Sequence, residues 1–266
     1  MKRRTFLKTS SSLAGAAVLS GGSSLASMAA PAAGREFYEL RVYEMPTGNR
    51  KAALNDYLEK AAIPAWNRLG SSPVGVFTVV SGANALLLHV LIPYPDLDAF
   101  LAAPEKLAAD SDYRKAAADY LAASIDNPAY TRYESRLLRA FTNIPRVRVP
   151  AETAEKKPRL FELRIYESHS ETAAVKKIEM FNEGGEIALF ERTGIRPVFF
   201  GQTLVGPRQP NLVYMVVHQD MAAREKAWAT FGASPEWKTL SSNPAFANTV
   251  SATDVTFLRP AAYSQL

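Results

Sequence analysis

Phe37-Tyr38-Glu39-Leu40-Arg41-Val42-Tyr43-Glu44 returns 123 positions later as Leu160-Phe161-Glu162-Leu163-Arg164-Ile165-Tyr166-Glu167. Alternating side-chain character makes each octapeptide a strand. Glu, Arg and Tyr share one face, while Tyr38, Leu40 and Val42, or Phe161, Leu163 and Ile165, share the other. Recurrence of so particular a segment signals a duplicated unit, and the rest of the chain nearly keeps the spacing. Gly70 matches Gly194, Pro73-Val74 matches Pro197-Val198, Gly82 matches Gly206, and Asp112-Tyr113-Arg114 matches Glu236-Trp237-Lys238. Asn127-Pro128-Ala129-Tyr130 returns at a shorter offset as Asn243-Pro244-Ala245-Phe246, so the first copy carries extra residues near 116–124.

Within each copy the periodicity changes in the same order. In the first, the opening strand is followed by a helical stretch with Leu54, Tyr57, Leu58, Ala61, Ala65 and Leu69 at three-and-four spacing. Pro64 is expected to interrupt it, as Gly184-Gly185 interrupts its counterpart. Two β-rich runs follow, 74–80 and 86–92, matched by 198–205 and 212–218. Helical pieces (97–101 and 112–124; 221–231 and 235–241) and a last alternating strand (132–141; 249–258) complete the unit. The order is β-α-β-β-α-β, the ferredoxin-like arrangement. Such a unit covers one sheet face with helices and leaves the other bare, so two tandem copies are expected to pack bare face to bare face. The predicted fold is therefore α+β, a pseudo-twofold α/β barrel of two units at 35–141 and 159–266. A proline-containing, charged linker at 142–158 separates them.

Ahead of the repeats, Lys2-Arg3-Arg4-Thr5-Phe6-Leu7-Lys8 precedes an acid-free Ser/Ala/Gly-rich stretch, the layout of a twin-arginine signal. Its serines make it too polar for the roughly twenty apolar residues of a membrane span. Residues 1–33 are assigned to the signal, with cleavage among the small residues from Ser27 to Ala33. The working protein is expected to be periplasmic or otherwise extracytoplasmic, with no stable membrane anchor after cleavage. Lys2, Arg3, Arg4 and Lys8 account for most of the formal net charge of +5, leaving the remainder close to neutral. A nucleic-acid partner is not expected: no basic cluster stands out beyond the short Arg146-Val147-Arg148 and Lys156-Lys157 pieces in the linker. The absence of cysteine excludes disulfides and thiolate chemistry. Stability must then come from apolar burial, which a 47 % hydrophobic chain can supply.

The candidate ligand-binding residues are Glu39, Arg41 and Tyr43 with Glu162, Arg164 and Tyr166. The apolar face of each strand is expected to meet the helices, which turns Glu, Arg and Tyr into the barrel. A charge there must be paired or bear a desolvation cost of several kcal/mol. In a pocket, Arg41 or Arg164 would hold an anionic group by a two-pronged hydrogen bond, and Glu39 or Glu162 would exchange a proton. In a purely structural network, each Glu would pair with an Arg across the pseudo-twofold. His89 and His218 lie on corresponding third strands and are expected to project inward as well. No histidine pair has metal-ligand spacing, so no metal site is expected. Trp66, Trp228 and Trp237 read as packing residues, and Arg224 with Glu225 as a solvated or helix-capping pair. No Gly-x-Ser-x-Gly elbow or phosphate loop is present.

The Glu-Leu-Arg-x-Tyr strand of both copies, together with Ala222-Ala223-Arg224-Glu225 and Ser234-Pro235-Glu236-Trp237, resembles the NIPSNAP family of the dimeric α/β-barrel superfamily. The resemblance spans both repeats. The first copy departs from it, with Asp112-Tyr113 where Glu-Trp would stand and no preceding Ala-Arg element. It implies the fold and the tandem arrangement and supplies no reaction. Because the superfamily includes haem-using members, His89 and His218 are the positions at which an axial ligand would be sought, although no cofactor is expected. Two functions stay open. One is a protein that binds a small molecule or a partner through its tandem barrel. The other is a cofactor-free monooxygenase-like or isomerase-like enzyme using Glu, Arg and Tyr inside the barrel. Association of two chains into a homo-oligomer is also left open.

Overall fold

Both copies fold in the order of their periodicity. The computed structural model describes residues 34–45, 51–82 and 85–266; the expected leader lies outside them. The first copy runs β1 (Phe37–Glu44), α1 (Lys51–Tyr57), a π-helical stretch (Leu58–Ala62), α2 (Ile63–Arg68), β2 (Gly75–Val79), β3 (Leu87–Tyr94), α3 (Leu97–Ala109), α4 (Ser111–Ala116), α5 (Ala118–Leu121) and β4 (Arg132–Ala140). The second runs β5 (Leu160–Glu167), α6 (Glu171–Asn182), α7 (Glu186–Arg192), β6 (Arg196–Val205), β7 (Asn211–His218), α8 (Met221–Ala233), α9 (Pro235–Ser241) and β8 (Ala252–Pro260). The strands close into one antiparallel barrel in the order β1-β3-β2-β8-β5-β7-β6-β4. Each copy supplies four adjacent strands, and the seams between copies are β2 with β8 and β4 with β6.

Local chemistry explains the helix boundaries. Asp96, Asp110, Ser170, Asp220 and Ser234 each cap a helix by accepting the N–H three residues on. Gly185, at φ 80°, separates α6 from α7 as expected. Pro64 does not end its helix. The π-helical stretch before it bonds Ile63 N–H to the Leu58 carbonyl, a wider turn that carries the helix past a residue with no donor of its own. The linker is likewise held down: Glu36 N–H donates to Pro145 O (2.9 Å), Val147 N–H to the Glu36 carboxylate (2.8 Å) and Arg148 N–H to Val198 O (2.8 Å).

The barrel interior is apolar. Tyr38, Leu40, Phe77, Leu138, Phe161 and Phe199 belong to one buried cluster there, whereas Tyr43, Trp66, Val90 and Ile92 pack in a separate cluster with the first-copy helices. The expected facing of β1 and β5 is thus inverted: Glu39, Arg41, Tyr43, Glu162, Arg164 and Tyr166 face the helices, and the apolar residues fill the barrel. Alternation says which side chains share a face, but here both faces are buried. Inner faces from eight strands converge on one axis where apolar packing dominates, while the helices bring tryptophan and arginine donors to the outer face.

Candidate functional site

In the second copy Glu162 is 0 % exposed between β5 and α8. Arg224 grips it with Nε at 3.0 Å and Nη2 at 3.1 Å, and Trp228 Nε1 donates at 2.9 Å. Arg164 Nε lies 3.3 Å away, and His218 Nε2 makes a longer approach of 3.4 Å. Arg224 and Trp228 are one helical turn apart, so both reach the sheet from the same face of α8. Burial alone pushes the carboxyl up; His218, Arg224, the Arg164 charge and Trp228 reverse that and hold it at about 2. Arg164 lies 4.4 Å from the Trp228 ring centre and donates to Tyr166 Oη (3.2 Å) and Tyr214 Oη (3.4 Å). Nearby, Lys177 and Glu186 form a buried ion pair at 2.7 Å, with Lys177 Nζ 4.4 Å from the Phe181 ring centre.

The first copy builds its network largely from strands. Arg41 holds Glu39 through Nε (2.6 Å) and Nη2 (2.9 Å), while Ser135 Oγ (2.8 Å) and Tyr94 Oη (3.2 Å) donate to the same carboxylate. Arg41 Nη1 reaches Tyr43 Oη at 3.3 Å, and its guanidinium lies over Trp66 and Tyr133. Each Glu-Arg pair therefore forms within one copy, not across the pseudo-twofold, because the apolar interior separates the two outer faces. Glu39 accepts four hydrogen bonds and Glu162 three, with the Arg164 and His218 side chains close by. Held ionised in this way, Glu162 has no proton to give.

The two histidines part company. His89 lies on the inner face of β3, 6 % exposed, as expected. His218 occupies the β7 position matching Tyr94 and faces the helices beside Glu162. Arg224 and Trp228, read from sequence as a solvated residue and a packing residue, are the principal partners of Glu162. Their helical spacing was the available signal. The Ser-Pro-Glu-Trp segment is a helix start: Ser234 Oγ accepts Trp237 N–H at 3.2 Å, Pro235 takes the first turn, and Trp237 packs on Phe231.

Two cavities lie apart from these networks. A groove of about 820 Å³ runs along the outside of the β2–β8 seam between linker, α8 and the 261–264 segment. Val80, Leu160, Met221 and Pro260 give it apolar walls, and Lys156 and Arg259 stand at its edges. A smaller cavity of about 150 Å³ sits in the barrel mouth, lined by His89, Glu134, Arg136, Arg208, Asp254 and the inner apolar residues. Among the described residues, no group of His, Asp and Glu is arranged to hold a metal ion, and no helix is long and apolar enough to cross a membrane.

Comparison with known proteins agrees with this architecture. A crystal structure from Lactobacillus acidophilus NCFM, named "putative monooxygenase", shares the fold with TM-score 0.56 at 11 % identity, covering 85 % of this chain and 94 % of that one. A NIPSNAP-like domain protein from Burkholderia xenovorans is 23 % identical over 40 % of this chain and 88 % of its own (TM-score 0.36). A NIPSNAP family protein of unknown function from Agrobacterium tumefaciens is 19 % identical over 39 % of this chain and 88 % of its own (TM-score 0.34). No curated protein matches the sequence. The NIPSNAP family model matches twice, over residues 38–140 and 161–265, so the chain belongs to the NIPSNAP family and carries its domain in tandem.

Proposed function

We propose that this protein is exported by the twin-arginine route and binds a small apolar anion in the groove where its two ferredoxin-like halves and the linker meet. The observation that carries the reading is the groove itself. Its volume, about 820 Å³, falls within the range of small-molecule sites, and apolar walls with a few polar groups at the edge are their usual lining. Lys156 and Arg259 enter no ion pair among the described residues, whereas the nearby Asp220 is committed to capping α8. The edge therefore favours a negative head group over a positive one. The Glu-Arg-Tyr sets face the helices and not the barrel interior, so the binding reading does not draw on them. The monooxygenase name of the Lactobacillus structure belongs to that protein; at 11 % identity only its fold carries over.

Titration with 8-anilinonaphthalene-1-sulfonate, an apolar anion, tests the groove. Saturable binding is expected, weakened about tenfold by Lys156→Glu with Arg259→Glu and abolished by Ala262→Trp, with circular dichroism unchanged. Unaltered binding in both variants would overturn the assignment. Export is tested separately: Arg3→Lys with Arg4→Lys should leave an uncleaved precursor inside the cell. Normal delivery of that variant would contradict the route.

A further inference from the structure

We propose that the barrel mouth is a second, independent binding site, for a small carboxylate of acetate or glycolate size, with Arg136 as its anchor. The site lies toward the Asp254 end of β8, whereas the groove residues start at Arg259. Five strands and a loop build it, β1 through Leu40 and Val42. β4 carries Glu134 and Arg136 on its inner face, β3 carries His89, β8 carries Asp254 and Thr256, β5 supplies Leu163 and Ile165, and the β6–β7 loop adds Arg208.

The charges around it are unequally satisfied. Arg208 is neutralised twice, by Glu167 at 3.0 Å and Asp254 at 3.1 Å, so both of those acids are spoken for. Arg136 is 7 % exposed and enters no ion pair among the described residues. Of its five N–H donors only one is engaged, Nη1 with the Pro207 carbonyl at 3.1 Å. The loop that offers this carbonyl is fixed in turn: Asn211 Nδ2 donates to Pro207 O (3.0 Å) and Arg208 O (2.8 Å), and its Oδ1 accepts from Thr203 Oγ1 (2.5 Å). Glu134, the remaining acid, is exposed at the rim.

Glu134, Asp254 and Glu167 act on the Arg136 charge from a distance without pairing with it, so a buried guanidinium with unengaged donors faces a polar cavity that can take an anion from solution. His89 adds to the recognition. It lines the cavity, and its Nδ1 is buried without a partner. The size of the cavity sets the ligand class: at roughly 30 Å³ per water, about 150 Å³ holds about five waters or an anion of four to six heavy atoms. Leu40, Val42 and Leu163 form an apolar floor suited to the methyl or methylene of such a carboxylate.

The test is calorimetric titration of the purified chain with sodium acetate and sodium glycolate against sodium chloride at equal ionic strength. Saturable binding of the carboxylates but not of chloride is expected. Arg136→Met should weaken it about tenfold or more, since a charge-assisted hydrogen-bond pair is lost. The same variant should unfold at an equal or higher temperature in carboxylate-free buffer, because an unpaired buried charge is gone. If Arg136→Met fails to fold, the imidazole NMR signals of wild-type His89 provide the second readout, and they should move saturably with acetate. Absence of any carboxylate response in the wild type, with water alone in the cavity, would overturn the proposal. So would a folded Arg136→Met that binds acetate as tightly as the wild type.

Discussion

Two buried side chains with depressed pKa values give the protein its expected acid sensitivity. Burial, with some help from Arg136 and against the opposing charge of Asp254, moves His89 from 6.5 down to about 4. It is therefore neutral in the fold and becomes charged more readily once unfolded. Its contribution is complete above about pH 6.5 and is lost as the pH falls through 4. Glu162, held at about 2 against a usual 4.5, contributes fully above about pH 4.5 and loses its share as the pH falls toward 2. Each effect is on the order of 3 kcal/mol at its limit. Urea unfolding of His89→Phe at pH 7.5 and pH 4.5 should show a markedly smaller difference than the wild type. An unchanged difference would mean that another group titrates there. The sequence indicated that Glu162 and His89 would be buried, but it turned Glu162 into the barrel, whereas the carboxylate faces α8. The helical spacing of Arg224 and Trp228 put them on one face of α8, but that this face meets Glu162 was set only by packing, since both lie more than sixty residues away.

At the scale of elements, the two copies fasten their helices differently. α8 is tied to β5 by Arg224 and Trp228, whereas the matching positions on α3 are Phe100 and Pro104, and Phe100 packs edge-on against Tyr94. Arg224→Ala should therefore cost roughly 3–5 kcal/mol, because it strips a buried carboxylate of its bidentate partner. Arg224→Met combined with Glu162→Leu should be milder than either change alone, as thermal unfolding of the set would show. Cross-copy pairs should behave otherwise: Arg41→Met and Glu162→Leu share no partner, so their costs should add within about 0.5 kcal/mol. Strong rescue between them would contradict the separation of the two networks. Helix starts are a further element-level feature. Ser234→Ala should cost about 0.5–2 kcal/mol, the usual loss for an N-cap, measured by chemical denaturation. The Gly184-Gly185 break was legible because it depends on near neighbours. The passage of the helix through Pro64 was not, since it depends on a π-helical turn that no residue pattern announces.

At the scale of the molecule, neither copy has a complete barrel. Each contributes four strands, and the apolar interior draws Tyr38, Leu40 and Phe77 from one copy against Phe161, Phe199 and Leu258 from the other. Residues 34–150 or 151–266 produced alone should expose that inner face and self-associate or aggregate, while co-production should restore a soluble pair. The intact chain should unfold in one transition seen alike by circular dichroism and tyrosine–tryptophan fluorescence. Two separated transitions would show that the halves are independent. The duplication, the order of elements, the closure of two bare faces on one another and the membership in one family were all readable from the sequence, because periodicity and repetition are properties of the chain itself. Which face of β1 and β5 turns inward was decided only by the tertiary structure. A strand buried on both sides carries the same alternation whichever way it is turned. The choice rests on what waits on each side: converging apolar side chains within, and the arginine, tryptophan and tyrosine donors of the helices and neighbouring strands without.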